Sequence, residues 1–356
     1  MARFSISVPI GAWHPMLSDC LESLVRQDAE LEIAVLDASG DPRTGELIER
    51  YRDRIFYLRI GPDAGQSDAI LEGWANTSGD VLGWLNADDA LAPGAFANMA
   101  ARFDGEPDTD IIYGHTIINN ELDDIRGFHW AVEPPTEKLL RECIVSQPSC
   151  FFRRAANGLI GGLDASLHYT MDWDLWVRLW KSGAKFGFTD DVLSRVLWGS
   201  DTKTGGFNKA RRAELRRLIG GNDRLRDRIN SQIGFVVHHL TEQPLFARFA
   251  PALHRRMAPD ARPIHGIGRT GEICGTARLP LFHYRTTPVT QLEIDLFAPA
   301  NLTARLLLDD TLVQTVEGIG NYLEVSIDAG IPAGRTAILE LESLDSDARL
   351  KSISLK

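Results

Sequence analysis

Over the first hundred residues, apolar stretches of strand length take turns with helix-length segments, and that alternation leaves few architectures open. Phe4-Ser5-Ile6-Ser7-Val8 is followed by a helical pattern over residues 17–25 and then by the run Leu31-Glu32-Ile33-Ala34-Val35-Leu36. A helical segment around residues 46–50, a strand over 55–60, a helix over 67–76 and a strand over 81–85 continue the series. This order predicts an α/β fold, a mostly parallel sheet with helices on both faces. Ligands on such sheets sit at the carboxyl ends of the strands. Asp37 and the pair Asp88-Asp89 fall there.

The pattern changes twice downstream. Residues 111–130 read as two strand arms around the polar turn Asn119-Asn120-Glu121-Leu122-Asp123-Asp124, and residues 172–181 return to helical spacing. Beyond a stretch rich in Pro and Gly at 259–271, short alternating segments at 292–296, 304–308, 323–327 and 337–341 predict an all-β sandwich. A chain of 356 residues also exceeds the ~250–300 at which a single core stops growing. The expected division is an α/β domain over 1–204, a helical, Arg-rich connection over 205–258 and a β module over 259–356.

Charge narrows the partners. The net charge of -11 argues against nucleic acid, whose phosphates call for a basic face. Yet residues 203–256 hold twelve Lys and Arg against four Asp and Glu. Solvated helices account for such a run, and docking on anionic lipid is the alternative. Cys20, Cys143, Cys150 and Cys274 lack metal-site spacing, which suits a reducing cytoplasm. Without an apolar run near ~18 residues, any membrane contact would be peripheral.

Adjacent carboxylates at a strand end repel unless something positive neutralises them. A hard divalent cation does so, because Asp oxygens suit Mg²⁺ or Mn²⁺ and such ions are shared between carboxylates and substrate phosphates. Adjacent acids such as Asp123-Asp124 and Asp190-Asp191 read as solvated loops. Position singles out Asp88-Asp89, which a buried-looking strand carries to the ligand edge of an α/β sheet.

Several segments, in order, resemble the inverting family 2 glycosyltransferases of GT-A fold. Phe4-Ser5-Ile6-Ser7-Val8-Pro9 is similar to their first strand, and Glu32-Ile33-Ala34-Val35-Leu36-Asp37-Ala38-Ser39 to the second, whose terminal Asp meets the nucleobase. Asp63-Ala64-Gly65-Gln66-Ser67-Asp68 resembles the donor-contacting helix start, and Asn86-Ala87-Asp88-Asp89 the metal motif, with Asn in place of the commoner first Asp. Gln147-Pro148-Ser149-Cys150 and Gly161-Gly162-Leu163-Asp164 resemble segments before the acceptor site; Met171-Asp172-Trp173-Asp174 resembles the catalytic-base motif.

The resemblance implies transfer of a sugar from a nucleoside-diphosphate donor to a hydroxyl of a glycan or lipid-linked acceptor, at or near the inner membrane face. It implies Asp172 as base, with Asp174 the second candidate, and Asp89 as ligand to Mn²⁺ or Mg²⁺. Asp88 would touch metal or ribose, while Pro9, Asp37, Gln66, Asp68 and Asn86 would line the donor site. Gln147, Trp173, Asp174 and Asp201 are the candidate acceptor or secondary contacts. Many relatives carry a His after the strand that follows the base helix; residues 195–201 have none, leaving Asp201 as its acidic substitute. Met171 stands where an acid often precedes the base, and Ile10-Gly11-Ala12-Trp13-His14 lacks a small polar residue common in that loop.

Two other functions compete. A dinucleotide oxidoreductase needs a Gly-rich turn after the first strand, and only Gly11 is there. A glycan-binding protein with an impaired transferase domain would instead work through its β module, which is also the expected site of self-association.

Overall fold

The computed structural model describes residues 1–129, 131, 137–140, 142–199, 209–220, 225, 229, 232, 233, 236, 263–268, 271–343 and 347–356. Two compact units emerge. One takes in Met1–Gly114, Ala131–Val196 and Gly206–Ile233, and the other His115–Trp130, Leu197–Gly205 and Gly234–Lys356. Residues 115–130 group with the C-terminal strands, and residues 206–233 with the α/β unit, so the division does not follow the chain-order boundaries at 204 and 258.

The N-terminal unit opens with β1 (Phe4–Ile10), α1 (Leu17–Val25), β2 (Leu31–Asp37), α2 (Pro42–Arg50), β3 (Tyr57–Ile60), α3 (Gln66–Ala75) and β4 (Val81–Trp84). The four strands pair in parallel in the order β3-β2-β1-β4, and the register places Ile10 beside Asp37. All seven residues of β1 are buried, Pro9 among them, as a strand covered on both faces requires. Helix α2 starts earlier than its apolar period indicates: Pro42 is its first residue and Asp41 caps it, accepting from Arg43 N at 2.9 Å.

Further strands extend the sheet antiparallel. After β5 (Ala90–Leu91) and α4 (Ala95–Gly105) come β6 (Ile111–Asn119), β7 (Ile125–His129), β8 (Cys150–Arg153), α5 (Arg154–Ile160), α6 (Met171–Lys181), β9 (Phe186–Leu197) and α7 (Lys209–Gly220). β8 lies antiparallel to both β4 and β6, and β9 pairs with β5. Trp84 stacks on Trp176 with centroids 5.9 Å apart, and Trp74 and Phe152 close edge-on around them. These rings tie the strand that leads to Asp88-Asp89 to the helix that begins at Met171. Trp84 and Trp176 are therefore core residues.

Close packing of α3 on β1 depends on Gly73. A Cβ there would stand 2.2 Å from Ser7 Oγ and 3.1 Å from Ala34 Cβ. Ser7 Oγ is itself buried and donates to Ile70 O at 2.9 Å, so it cannot simply swing away. Gly73→Ala is expected to destabilise the fold by about 1–3 kcal/mol, outweighing the roughly 1 kcal/mol by which Ala favours a helix. Urea denaturation measures this; wild-type stability would contradict the close approach.

The C-terminal unit is all-β, as expected: β10 (Thr276–Leu281), β11 (Val289–Leu308), β12 (Thr311–Ile331), β13 (Ala337–Ser343) and β14 (Arg349–Leu355). The segments at 292–296 and 304–308, read as separate strands, are two halves of β11. Its first half pairs with β14 and its second with β13, while β12 accompanies it throughout. Register shifts between Asp295 and Leu302 bend it, and Pro299 lies in that interval, where an absent N–H costs little. Along β13, Ala337, Leu339 and Leu341 are buried while Glu340 and Glu342 are not, the alternation of a sheet with one face in a core. Within this unit β7 meets β14 at Ile125 and Ile353, and Arg285 forms a 2.7 Å ion pair with Asp123.

Candidate active site

Four expected residues meet in one hydrogen-bonded chain whose polarity is set by a backbone carbonyl. Gln147, 9% exposed in the short turn Gln147–Ser149, donates Nε2 to Trp84 O at 2.7 Å. Because that carbonyl can only accept, Gln147 must present Oε1 to its other neighbour, Asn86, which answers with Nδ2 at 3.2 Å. The same Nδ2 reaches Asp89 Oδ2 at 3.0 Å, and Asn86 Oδ1 accepts from Gln66 Nε2 at 2.7 Å. Asn86 thus acts as the donor that holds buried Asp89, and no Asp could do so. The neutral amide that departs from the commoner motif is built into this network.

Asn86→Asp would put a third carboxylate at the strand end and set oxygen against both Asp89 and Gln147. Leaving such acceptors unpaired costs about 1–3 kcal/mol. The variant is expected to melt below wild type in chelator and to gain more than wild type from added Mn²⁺. Equal melting in chelator would contradict the network.

The second cluster lies at the start of α6. Ser67, in the first turn of α3 beside Gln66, donates its hydroxyl to Met171 Sδ at 3.0 Å. The same helical turn therefore touches the Asn86-Asp89 network through one residue and the base motif through the next. Asp172 accepts from Trp173 N at 2.8 Å. Burial pushes its carboxyl above the usual carboxylate range, while backbone N–H groups and, less strongly, the charge of Arg211 pull it back. Asp174 differs: it is neutralised by Arg178 at 2.6 Å. Of the two candidate bases, Asp172 is the one kept basic and not ion-paired among the described residues.

Other expected residues stand apart. Asp37 is buried at the end of β2, where Oδ1 closes a turn by accepting from Ser39 N and Oγ at 2.8 and 2.6 Å. Asp68 is exposed and accepts from Ala64 N at 3.2 Å, a local cap of the α3 entry. Trp173 is not a platform for a sugar: it is buried at 6% exposure and donates its indole N–H to Leu139 O at 2.6 Å. Asp201 lies outside the described residues.

Residues 6–162 match the family model described as glycosyl transferase family 2. This domain belongs to that family. Over 186 residues the chain is 26% identical to a PGL/p-HBAD biosynthesis glycosyltransferase of Mycobacterium bovis, covering 51% of this chain and 71% of that protein. It is 27% identical over 226 residues to the O-antigen biosynthesis protein RfbC of Myxococcus xanthus, covering 60% of this chain but 17% of RfbC. The solved structure of S. aureus TarS residues 1–349 with UDP-GlcNAc superposes with a TM-score of 0.50 at 15% identity, covering 71% of this chain and 77% of that one. That likeness shows the GT-A fold.

The chain is accordingly a nucleotide-sugar-dependent glycosyltransferase with an additional C-terminal β region. The residues that could hold a cation are Asp89 and half-buried Asp88, both hard oxygen ligands of the type Mg²⁺ and Mn²⁺ take. No cluster of three or more His, Cys, Asp or Glu that could hold a metal occurs among the described residues. Two carboxylates fit an ion that takes further oxygens from a diphosphate. The field of these acids is felt by buried Cys20, whose thiol is pushed well up by burial and then by Asp89, Asp88 and Asp19. Asp19 is paired with buried Arg195, which lies opposite Ala90 in the β5–β9 ladder.

Two features of the glycosyltransferase escaped the motif reading. Arg195 brings a buried guanidinium to the strand where relatives' His was sought. Glu214 of α7, a lone acid in a basic helix, accepts from the backbone just ahead of Asp172. Its isolation among Arg residues was the one available signal. No helix among the described residues is long and apolar enough to cross a membrane.

Proposed function

We propose that the enzyme is an inverting transferase that moves a sugar from a nucleoside-diphosphate donor to a hydroxyl of a glycan or lipid-linked acceptor. The observation that carries this reading is the double tether from the first turn of α3, which joins Asp89's network through Gln66 and Asp172's helix through Ser67. A donor bound along that turn would meet diphosphate ligands on one side and a base on the other. The relatives named for O-antigen and PGL/p-HBAD biosynthesis support the acceptor class.

The chemistry is one displacement. The acceptor oxygen bonds to the anomeric carbon as the bond from that carbon to the diphosphate oxygen breaks, and the electron pair leaves with the nucleotide. Asp172 takes the acceptor proton, and its raised proton affinity improves it as a base near neutral pH. Asp89, fixed by Asn86, and Asp88 would hold the divalent cation, which when bound neutralises charge on the leaving diphosphate. Asp37 at the end of β2 would meet the nucleobase, and Pro9, opposite Leu36, would line the donor site.

Turnover of UDP-, GDP- and dTDP-sugars with Mn²⁺, read as nucleoside-diphosphate release and repeated in EDTA, tests this. Release from at least one donor, abolished by EDTA, is expected. Failure to bind or turn over any of them with Mn²⁺ or Mg²⁺ would contradict the proposal.

A further inference from the structure

Helix α7 lies beyond the residues that match the family, yet within the described residues it holds the segment that leads into the base. Glu214 accepts four hydrogen bonds: Oε1 takes His168 N at 3.0 Å, and Oε2 takes Tyr169 N, Thr170 N and Thr170 Oγ1 at 2.9, 3.1 and 3.1 Å. Thr170 is the N-cap of α6, but its side chain makes no cap bond within the helix. The first-turn N–H groups of a helix need acceptors, and a carboxylate at that end is favoured by the helix dipole. Here a residue 44 positions away supplies one for Thr170 itself. One turn on, Arg217 reaches Ser166 Oγ at 3.1 Å and Asp164 Oδ2 at 3.4 Å. Three residues before Glu214, Arg211 places its charge within range of Asp172.

Arg211, Glu214 and Arg217 recur at every third residue, so they form one stripe of α7, while Leu215 and Ile219 are buried. The basic character of this helix therefore has a structural use apart from any membrane.

We propose that α7 is a clasp that positions the catalytic base: Glu214 fixes the backbone entering α6, and Arg211 sets the electrostatic surroundings of Asp172. This rests on the reading of Asp172 as base. Glu214 and Arg211 are positioning residues, since they act through Asp172. Among the described residues, Arg211 from α7, Cys143 ahead of β8 and Cys150 on β8 couple electrostatically to Asp172. Both thiols are pushed well up by burial and stay neutral, so Arg211 is the charged member of this set.

The test uses the full chain without substrate. Hydrogen exchange over residues 168–172 is measured in wild type, Glu214→Ala and Glu214→Gln, and Asp172 is titrated by carboxyl ¹³C NMR, assigned with Asp172→Asn. Glu214→Ala should exchange there about tenfold faster or more, and its Asp172 midpoint should fall toward the ordinary aspartate range as the carboxyl gains solvent. Glu214→Gln keeps a carbonyl acceptor and should restore most of the protection. Arg211→Gln should raise the midpoint, because the charge that lowers it is gone. Unchanged exchange, or an unmoved midpoint in both Glu214→Ala and Arg211→Gln, overturns the proposal. If exchange and titration behave as stated but Asp172→Asn turns over donor at the wild-type rate, the base assignment fails and the clasp does not.

Discussion

Replacing Asp172 with Asn is expected to cut sugar transfer by about 10²–10⁴-fold while donor binding, measured by calorimetry with Mn²⁺, stays within about twofold. The amide keeps the size of the side chain and can still accept from Trp173 N, so the loss falls on proton removal. Asp174→Asn makes the informative comparison, because it breaks the ion pair with Arg178 and leaves that guanidinium without its carboxylate. Its penalty should appear as lowered stability with the pH profile intact. The acid limb of kcat/KM should follow Asp172 and lie above the usual carboxylate range, in the direction that burial sets.

The same substitution has a stability signature. Asp172 binds its proton more tightly in the folded chain than in the unfolded one, so ionisation costs stability as pH rises through the folded value. Asp172→Asn removes that cost. It should melt above wild type near neutral pH, with the advantage fading as pH falls through the ordinary aspartate range. A variant that melts lower at neutral pH would show that the carboxylate is stabilised in place.

Asp89→Ala is expected to lower turnover by about 100-fold or more and to abolish the gain in donor affinity that Mn²⁺ confers. Asp89 is 5% exposed and held by Asn86, so its oxygens are fixed before any ligand arrives. Removal leaves Asn86 Nδ2 with Gln147 alone, a local change that should leave the fold near wild-type stability in chelator. Asp88→Ala should cost less, because Asp88 is more exposed and makes no such bond in this network. Equal losses from the two would mean that the pair shares the cation evenly; no loss from Asp89→Ala would remove the metal assignment.

How far the sequence disclosed this molecule varies by element. Strands β1, β2 and β4 were legible because central parallel strands are continuous apolar runs, and β3 was found within two residues of its start. The start of α2 was missed although Asp41-Pro42 is a strong N-terminal signal. Helix α4 was passed over although Phe96, Met99, Ala100 and Phe103 bury at helical spacing. In the β region, Pro299 and Asn301 imitate a turn inside a single strand that only cross-strand pairing reveals.

At the candidate site, the family resemblance pointed to Asp89 and Asp172, in keeping with a chemistry that needs acids at strand and helix ends. The amide chain through Gln66, Asn86 and Gln147 is closed by a bond between residues 61 positions apart and is invisible to local patterning. Trp173 stood among the candidate acceptor or secondary contacts because an aromatic in a catalytic motif does not declare whether its face is buried. Glu214 belonged to a segment whose charge drew attention to lipid, and its role depends on where α7 packs.

The central claim is a single displacement assisted by Asp172, and the configuration of the product tests it most directly. ¹H NMR of the glycoside formed from an α-linked nucleoside-diphosphate sugar should show a β-anomeric linkage, which the acetal product retains. An α-linkage would mean retention and would contradict the account of the site.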